Sequence, residues 1–343
     1  MTEITNEPQP LSTFLAEPVV VGEPDVASSL AVYPLFGPEA SLEYRAFADP
    51  KAGATITELE SGASVNDLLV HNAGSQPVLL YEGEEILGAQ QNRVLDVSVL
   101  AAAAAKTRIP VSCVERGRWD GRRHRERFRA SPQAADPRMR RMKSRRARAN
   151  VAAGLDARAD QGEVWREVDE RAFEFDAHSP TAAMSHIYDE HRDLLGSLRE
   201  AISLKPGQCG SVAVIDGRIA ILDFVGRADV YAVLHPAIIE GYALDALAAQ
   251  RGATTIDQPG AEPLDTATVR GFTLLACDSP PSSRTAGPGI GETARFAANG
   301  VEGSALLAEG ELVQLTAFPA EGEDGAPGTR PGRRIRRPSR RRH

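Results

Sequence analysis

Residues 207–226, "GQCGSVAVIDGRIAILDFVG", hold two apolar runs joined by Asp216-Gly217. Asp-Gly between such runs is a strong signal for a type I′ turn, whose twist matches that of the strands it joins. The stretch reads as a β-hairpin. On its upstream side, "QGEVWREVDERAFEF" (161–175) sets Val164, Trp165, Val168 and Ala172 on one face at helical spacing. "SPTAAMSHIYDEHRDLLGSLREAI" (179–202) follows, with Ser179 as N-cap and Pro180 as first helical residue. Strand pairing thus resumes after helices, which sets the class as α+β.

Further upstream, "AVYPLFG", "LEYRAFAD", "DLLVHNAG", "PVLLYEGEEILGAQQNRVL" and "TRIPVSCVE" succeed one another with Gly, Asn, Ser and Pro between them. That rhythm predicts an N-terminal antiparallel β-sandwich-like part, followed by a mixed helix/hairpin part. Downstream, 229–250 reads as an apolar-faced helix. "FTLLACD" (272–278) reads as a strand, and "GSALLAEGELVQLTAF" (303–318) as two strands around Glu309-Gly310. The expected division is a flexible arm over 1–24, a β-rich part over 25–120, a helical and mixed part of the same unit over 121–320, and a disordered Arg-rich tail over 321–343.

The charge is unevenly placed. Residues 116–148 hold 14 Lys and Arg against three acids, and 330–342 hold eight Arg and no acid. The rest keeps 17 of the 39 basic residues and 44 of the 47 acidic ones. A net charge of −8 therefore hides an acidic body, which repels nucleic acid, and two basic segments, which attract it. Cys113, Cys209 and Cys277 form no CxxC pair and no disulfide framework, as in a reducing compartment. The first residues lack the basic and apolar regions of a signal peptide, and no stretch approaches 18 apolar residues. The expectation is a cytoplasmic protein with no membrane part.

Familiar motifs fail on spacing. The histidines of "HIYDEH" (186–191) are five apart, where two metal ligands on one helix face need four, so a solvated helix face is the better account. His71 alone cannot make the paired-histidine site of a metal-binding sandwich. "GPGIG" (287–291) lacks the Lys-Ser/Thr of a phosphate loop; Gly289 and Gly291 either offer backbone N–H groups to a ligand or make a simple turn. Cys113 within an alternating strand reads as a small buried hydrophobe more readily than as a nucleophile. Glu115 would share its face and need a partner, for which Arg116 and Arg118 are at hand. The 116–148 segment suits a phosphate or nucleic-acid surface, although only Trp119 and Phe128 interleave with its charges.

The densest polar stretch is "YEGEEILGAQQNRV" (81–94). If "PVLLYEGEEIL" (77–87) is one strand, Glu82 and Glu84 share one face, with Glu85 and Tyr81 on the other. Gln90, Asn92 and Arg93 then supply amide and guanidinium groups fit for a phosphate or sugar edge. Residue chemistry leaves a ligand-binding rim and a merely polar hairpin both open.

"EGEEILGAQQNRVLDVSVL", "IPVSCVERGRW", "QGEVW", "SPTAAM", the 210–226 hairpin and "GPGIGETARF" with "GSALLAEGELVQLTAF" occur in that order. Together they resemble the ADP-ribosylglycohydrolase and rhodanese-phosphatase-associated protein domain family, over roughly residues 25–320. The matching motif positions are Glu82, Glu84, Gln90, Asn92, Arg93, Cys113, Glu115, Gly117, Trp119, Gln161, Trp165 and Thr181. The last strand departs from the family's pattern, with Gln314 in place of His. The resemblance implies an ADP-ribose-like or NAD-derived nucleotide as ligand, ADP-ribose-processing enzymes as partners, and no established reaction.

On that reading Glu82, Glu84 and Glu115 are the candidate acid–base carboxylates, in a metal-independent hydrolase or transferase with no cofactor. Two carboxylates suffice for chemistry at a glycosidic carbon. Gln90, Asn92, Arg93, Arg118, Trp119, Gln161, Trp165, Gly289 and Gly291 are the candidate ligand contacts. The alternative is a non-catalytic module that holds nucleic acid or a phosphorylated partner through the basic segments.

Overall fold

The computed structural model describes residues 9–119, 123, 126–252 and 262–320. The chain begins with β1 (Val20–Val21), β2 (Asp25–Ala27) and β3 (Leu30–Phe36). Short strands follow: β4 (Arg45–Ala46), β5 (Ala54–Thr57), β6 (Asp67–Asn72), β7 (Val78–Leu80), β8 (Glu84–Leu87), β9 (Arg93–Leu95), β10 (Val99–Ala101), β11 (Ala105–Cys113) and β12 (Arg129–Ala134). Helices α1 (Pro137–Ala152), α2 (Gln161–Phe175), α3 (Met184–Glu190) and α4 (Arg192–Glu200) come next. Then come β13 (Gly210–Ile215), β14 (Arg218–Val225), α5 (Ala228–Gly252) and α6 (Thr266–Cys277). Strands β15 (Ser283–Ala286), β16 (Glu292–Ala298), β17 (Val301–Ala308) and β18 (Glu311–Pro319) close the described chain.

The protein is α+β, with sheets that are antiparallel except where β4 runs parallel to β7, and its helices mostly in the later half. A large sheet runs β1-β3-β13-β14-β18-β17-β16-β15, with β2 also paired to β3. The 207–226 hairpin stands at its centre as β13 and β14. Asp216 and Gly217 have φ of 50° and 69°, the left-handed pair that a type I′ turn requires. One face of this sheet packs under α6 through Val269, Phe272 and Ala276. The other face packs under α5 through Tyr231, Leu234 and Ile238.

Two smaller sheets make the N-terminal sandwich-like part. One runs β12-β8-β9-β11-β6-β5 and the other β10-β7-β4. Ile56, Leu68 and Val70 of the first meet Val78, Leu80 and Val99 of the second. Leu79 and Leu100 point the opposite way, into the core that α5 covers, so β7 and β10 are apolar on both faces. Helix α5 is long and apolar enough to cross a membrane by length and composition, but most of it is buried inside the protein.

Three local expectations change. Residues 272–277 lie in α6, with Asp278 as its C-cap, and not in a strand: the Asp265 side chain accepts from Thr268 N and starts the helix. The helix expected from Pro180 starts at Met184 because Ala182 is left-handed, with φ of 51°; Ser179 Oγ instead accepts from Ala183 N at 2.9 Å. The sequence predicts a flexible arm over 1–24, yet within it Leu11 is wholly buried and β1 is paired to β3. The Arg-rich tail over 321–343 lies outside the described residues.

Candidate functional site

The chain leaves β8 through Gly88 and Ala89, with φ of 137° and 43°, and turns inward before β9. This turn drives Gln90, Gln91, Asn92 and Arg93 into the protein. Arg93 is wholly buried. Its Nη1 donates to Gln91 O at 2.9 Å, and its Nη2 lies 3.7 Å from the Glu58 carboxylate. Burial pulls the Arg93 guanidinium below its ordinary value. Among the described residues its Nε has no hydrogen-bond partner.

Glu115, just beyond β11, is the hub beside it. Its Oε2 accepts from Asn92 N at 3.1 Å and from Arg118 Nε at 2.7 Å, and its Oε1 accepts from Thr181 Oγ1 at 2.9 Å. Arg118 also donates to Asn92 Oδ1 at 2.8 Å and Ala89 O at 3.2 Å, while Asn92 Nδ2 donates to Ser185 Oγ at 3.3 Å. One carboxylate thus ties together the 88–93 turn, the 115–119 loop and the start of α3. Gln161 clamps α2 to β11, accepting from Cys113 N at 2.9 Å and donating to Cys113 O at 2.8 Å. Trp119 projects from this knot, 43% exposed, with its ring centroid 5.6 Å from Arg93 Cζ.

Behind the 179–183 loop lies a cleft of about 350 Å³, lined by Val168, Asp169, His178, Ser179 and Ala183 among others. Its polar wall connects to the knot through Arg116, whose Nη2 is 3.2 Å from Asp169 and whose guanidinium lies 5.9 Å from the Trp165 ring. Asp169 and His178 were missed in the sequence, where they read as ordinary exposed helix and loop residues. Ser185 was missed as well, because only the fold brings it to Asn92.

The three candidate acid–base carboxylates are held by different partners. Gly83, with φ of 85°, ends the strand that was expected to run from 77 to 87, so Glu82 and Glu84 do not share a strand face. Glu82 faces β17, where Ser304 Oγ donates to its Oε2 at 2.9 Å; burial raises its pKa. Glu84 faces α5 across a second, smaller cleft. Burial pushes Glu84 up to about 7 and Glu85 up to about 8.

Other candidates find structural uses. A Cβ on Gly289 would sit 2.2 Å from Leu100 O, and one on Gly291 would sit 2.1 Å from Leu307 O, so both glycines permit close backbone packing. Ile290 N donates to that same Leu100 O. The Cys113 thiol donates to Val65 O at 3.3 Å, and burial pushes it up to about 11, which leaves little thiolate. Gln314 Nε2 donates to Thr316 Oγ1 at 2.6 Å, beside Asp223.

The basic segment is largely spoken for. Arg116, Arg118, Arg138, Arg140, Arg141, Lys143, Arg145, Arg146 and Arg148 all pair with carboxylates of this chain. A polyanion would have to displace those partners, which removes much of the attraction that the sequence suggests.

The family described as ARG and Rhodanese-Phosphatase-superfamily-associated Protein domain has a model that matches residues 18–318. Its name associates the domain with ARG and rhodanese-phosphatase-superfamily proteins. No curated protein and no solved structure matches the chain.

Proposed function

The chain belongs to the ARG and Rhodanese-Phosphatase-superfamily-associated Protein domain family, and on that premise we propose that it binds an ADP-ribose-like or NAD-derived nucleotide beside Trp119. The ARG of the family name, taken as ADP-ribosylglycohydrolase, is what points to ADP-ribose. The observation that carries the reading is a 43% exposed indole, its ring centroid 5.6 Å from Arg93 Cζ, that follows Arg118 in the chain on a polar platform tied together by Glu115. An exposed large aromatic ring on a rigid base is suited to stacking a nucleobase, at about 1–3 kcal/mol per base. Arg118, partly exposed and held by four hydrogen bonds, is preorganised for a phosphate or ribose oxygen. The adjoining cleft of about 350 Å³ lies within the usual range for small-molecule sites.

The reading is one of binding. Glu115 spends both oxygens on holding the platform, and Glu82, Glu84 and Glu115 do not assemble into an acid–base pair. Partnership with ADP-ribose-processing enzymes is part of the same proposal and rests on the family name alone. Calorimetry with ADP-ribose tests the reading directly. Saturable heat that persists at physiological salt, and that drops at least tenfold in affinity in Trp119→Ala with the fold intact, is the expected result. No heat, or equal affinity in the variant, overturns it.

A further inference from the structure

A different set of residues forms a second cleft, of about 110 Å³, between β12 and α5. Its walls include Val233, Leu234, Ala237 and Ile238 from α5, and Ser131, Pro132 and Ala134 from β12, with Tyr81 and Glu84 at its floor. Three departures from regular hydrogen bonding line this one cavity. First, β12 bulges: Ala130 pairs with Ile86 and Ala134 with Glu84, so three residues of β12 stand opposite Glu85 alone. Second, Pro236 lies inside α5 and has no N–H to offer the carbonyl one turn earlier. Third, Glu84, 4% exposed, uses only Oε2, which accepts from Tyr81 N at 3.3 Å; Oε1 has no hydrogen-bond partner among the described residues. Bulges gather next to ligand sites, and a buried unmatched polar atom calls for a partner.

We propose that this cleft is a binding site for a small neutral amide, with Glu84 donating to its carbonyl and Ser131 accepting from its N–H. The polarity follows from the neighbours. The Ser131 hydroxyl spends its proton on Glu85 Oε2 at 3.1 Å, which leaves its oxygen to accept. Glu84 has no cation against it, and only burial and the Tyr81 N–H act on its acidity, so below about pH 7 it keeps a proton to donate. The other titratable and charged groups on the packed elements are Glu85 on β8, Tyr81 before it, Arg129 on β12, and Asp229, Tyr231, His235, Glu240, Tyr242, Asp245 and Arg251 on α5; none exerts a charge effect on Glu84. A charged ligand would lose its hydration against mostly apolar walls, whereas an amide brings one acceptor and its donors in one plane. Size sets the rest: a dry cavity of about 150 Å³ takes benzene, so this cleft admits a body no larger.

The test uses isobutyramide on the full chain, followed by ligand-detected NMR titration. The expected result is saturable binding at pH 6 that weakens at least tenfold at pH 9, as Glu84 ionises. In Glu84→Gln, which keeps a donor but cannot titrate, the binding becomes independent of pH. In Ala237→Met, which fills the cleft from the α5 side and leaves the Glu84 side chain in place, it is lost. Absence of binding at pH 6, binding that survives Ala237→Met, or tighter binding of isobutylammonium than of the amide overturns the proposal.

Discussion

Arg140 closes on Asp223 through two hydrogen bonds, Nη1 to Oδ2 at 2.7 Å and Nη2 to Oδ1 at 2.6 Å, in a core where both side chains are buried. The carboxylate also accepts from Tyr242 Oη at 2.5 Å, Thr316 Oγ1 at 3.0 Å and the Tyr81 hydroxyl. Burial alone would push Asp223 up. The Arg140 charge and the hydroxyls outweigh it, and hold the group below the usual carboxylate range. The pair joins α1 to β14, and so fastens the helical layer to the large sheet.

Asp223→Asn leaves the Arg140 charge buried without its counterion. Breaking such a pair costs about 3–5 kcal/mol, whereas replacing both partners by apolar residues of like size costs far less. Urea unfolding of Asp223→Asn, Arg140→Met and the double variant should show a double loss well below the sum of the singles, because the double variant leaves neither charge buried without its counterion. Additive losses would mean that the two residues stabilise the fold separately.

Two glycines should respond to alanine in opposite directions. A Cβ on Gly289 would press on Leu100 O, so Gly289→Ala should destabilise by about 1–3 kcal/mol as an overpacked site. Gly271 lies inside α6 with open space around it, and Gly271→Ala should stabilise by about 0.5–1 kcal/mol. Thermal melts of the two variants check both signs. A neutral Gly289→Ala would show that the 287–291 loop yields easily, and would reopen a ligand role for it.

The legible parts of this sequence are those whose signal is local. Asp216-Gly217 announces its hairpin because left-handed backbone favours Asp and Gly, and Gly310 marks the second turn although Glu309 beside it is left-handed as well. The face of α2 shows at helical spacing. Residues 272–278 misled because a short apolar run suits a strand or a buried helix equally. The Asp265 cap and the buried series Val269, Phe272, Thr273, Ala276 and Cys277 held the answer over a longer window. The site divides the same way. Arg118 reaching Glu115 is an i,i+3 contact and readable, but Thr181 and Ser185 arrive through tertiary packing. Nothing local tells that Glu82 and Glu84 part company at Gly83, where a left-handed glycine lets Arg140 pass within the space a side chain would fill.

Stability should fall as pH rises from 6.5 to 9. Burial lifts Glu84 to about 7 and Glu85 to about 8, so the folded state keeps protons that the unfolded chain has already released. Such groups stabilise at low pH, and their contribution fades as pH climbs from the unfolded value through the folded one. Glu167, lifted to about 7, acts in the same direction. His235, held down to about 4 by burial, acts oppositely, but only below its ordinary value near 6.5. At about 1.4 kcal/mol per pH unit for each titrating group, the loss across this window is on the order of 2 kcal/mol or more. Urea midpoints at pH 6.5, 7.5 and 9 measure it, and Glu85→Gln should flatten the slope. A flat wild-type profile would mean that these carboxyls ionise freely in the folded protein.

Glu115→Gln separates a holding role from a chemical one. The carboxylate receives an N–H from Asn92, a guanidinium N–H from Arg118 and a hydroxyl from Thr181. An amide in its place keeps one acceptor oxygen and turns the other into a donor facing donors. Hydrogen bonds to charged groups contribute about 1.5–3 kcal/mol, so a loss of that size is expected in the melt. Thr181→Val removes one bond and should cost about 0.5–1.5 kcal/mol. Because Glu115 fixes the base from which Trp119 projects, ADP-ribose affinity should fall in step with stability across the two variants. A Glu115→Gln protein that melts and binds like the wild type would instead free this carboxylate for chemistry, and turnover would then be the quantity to measure.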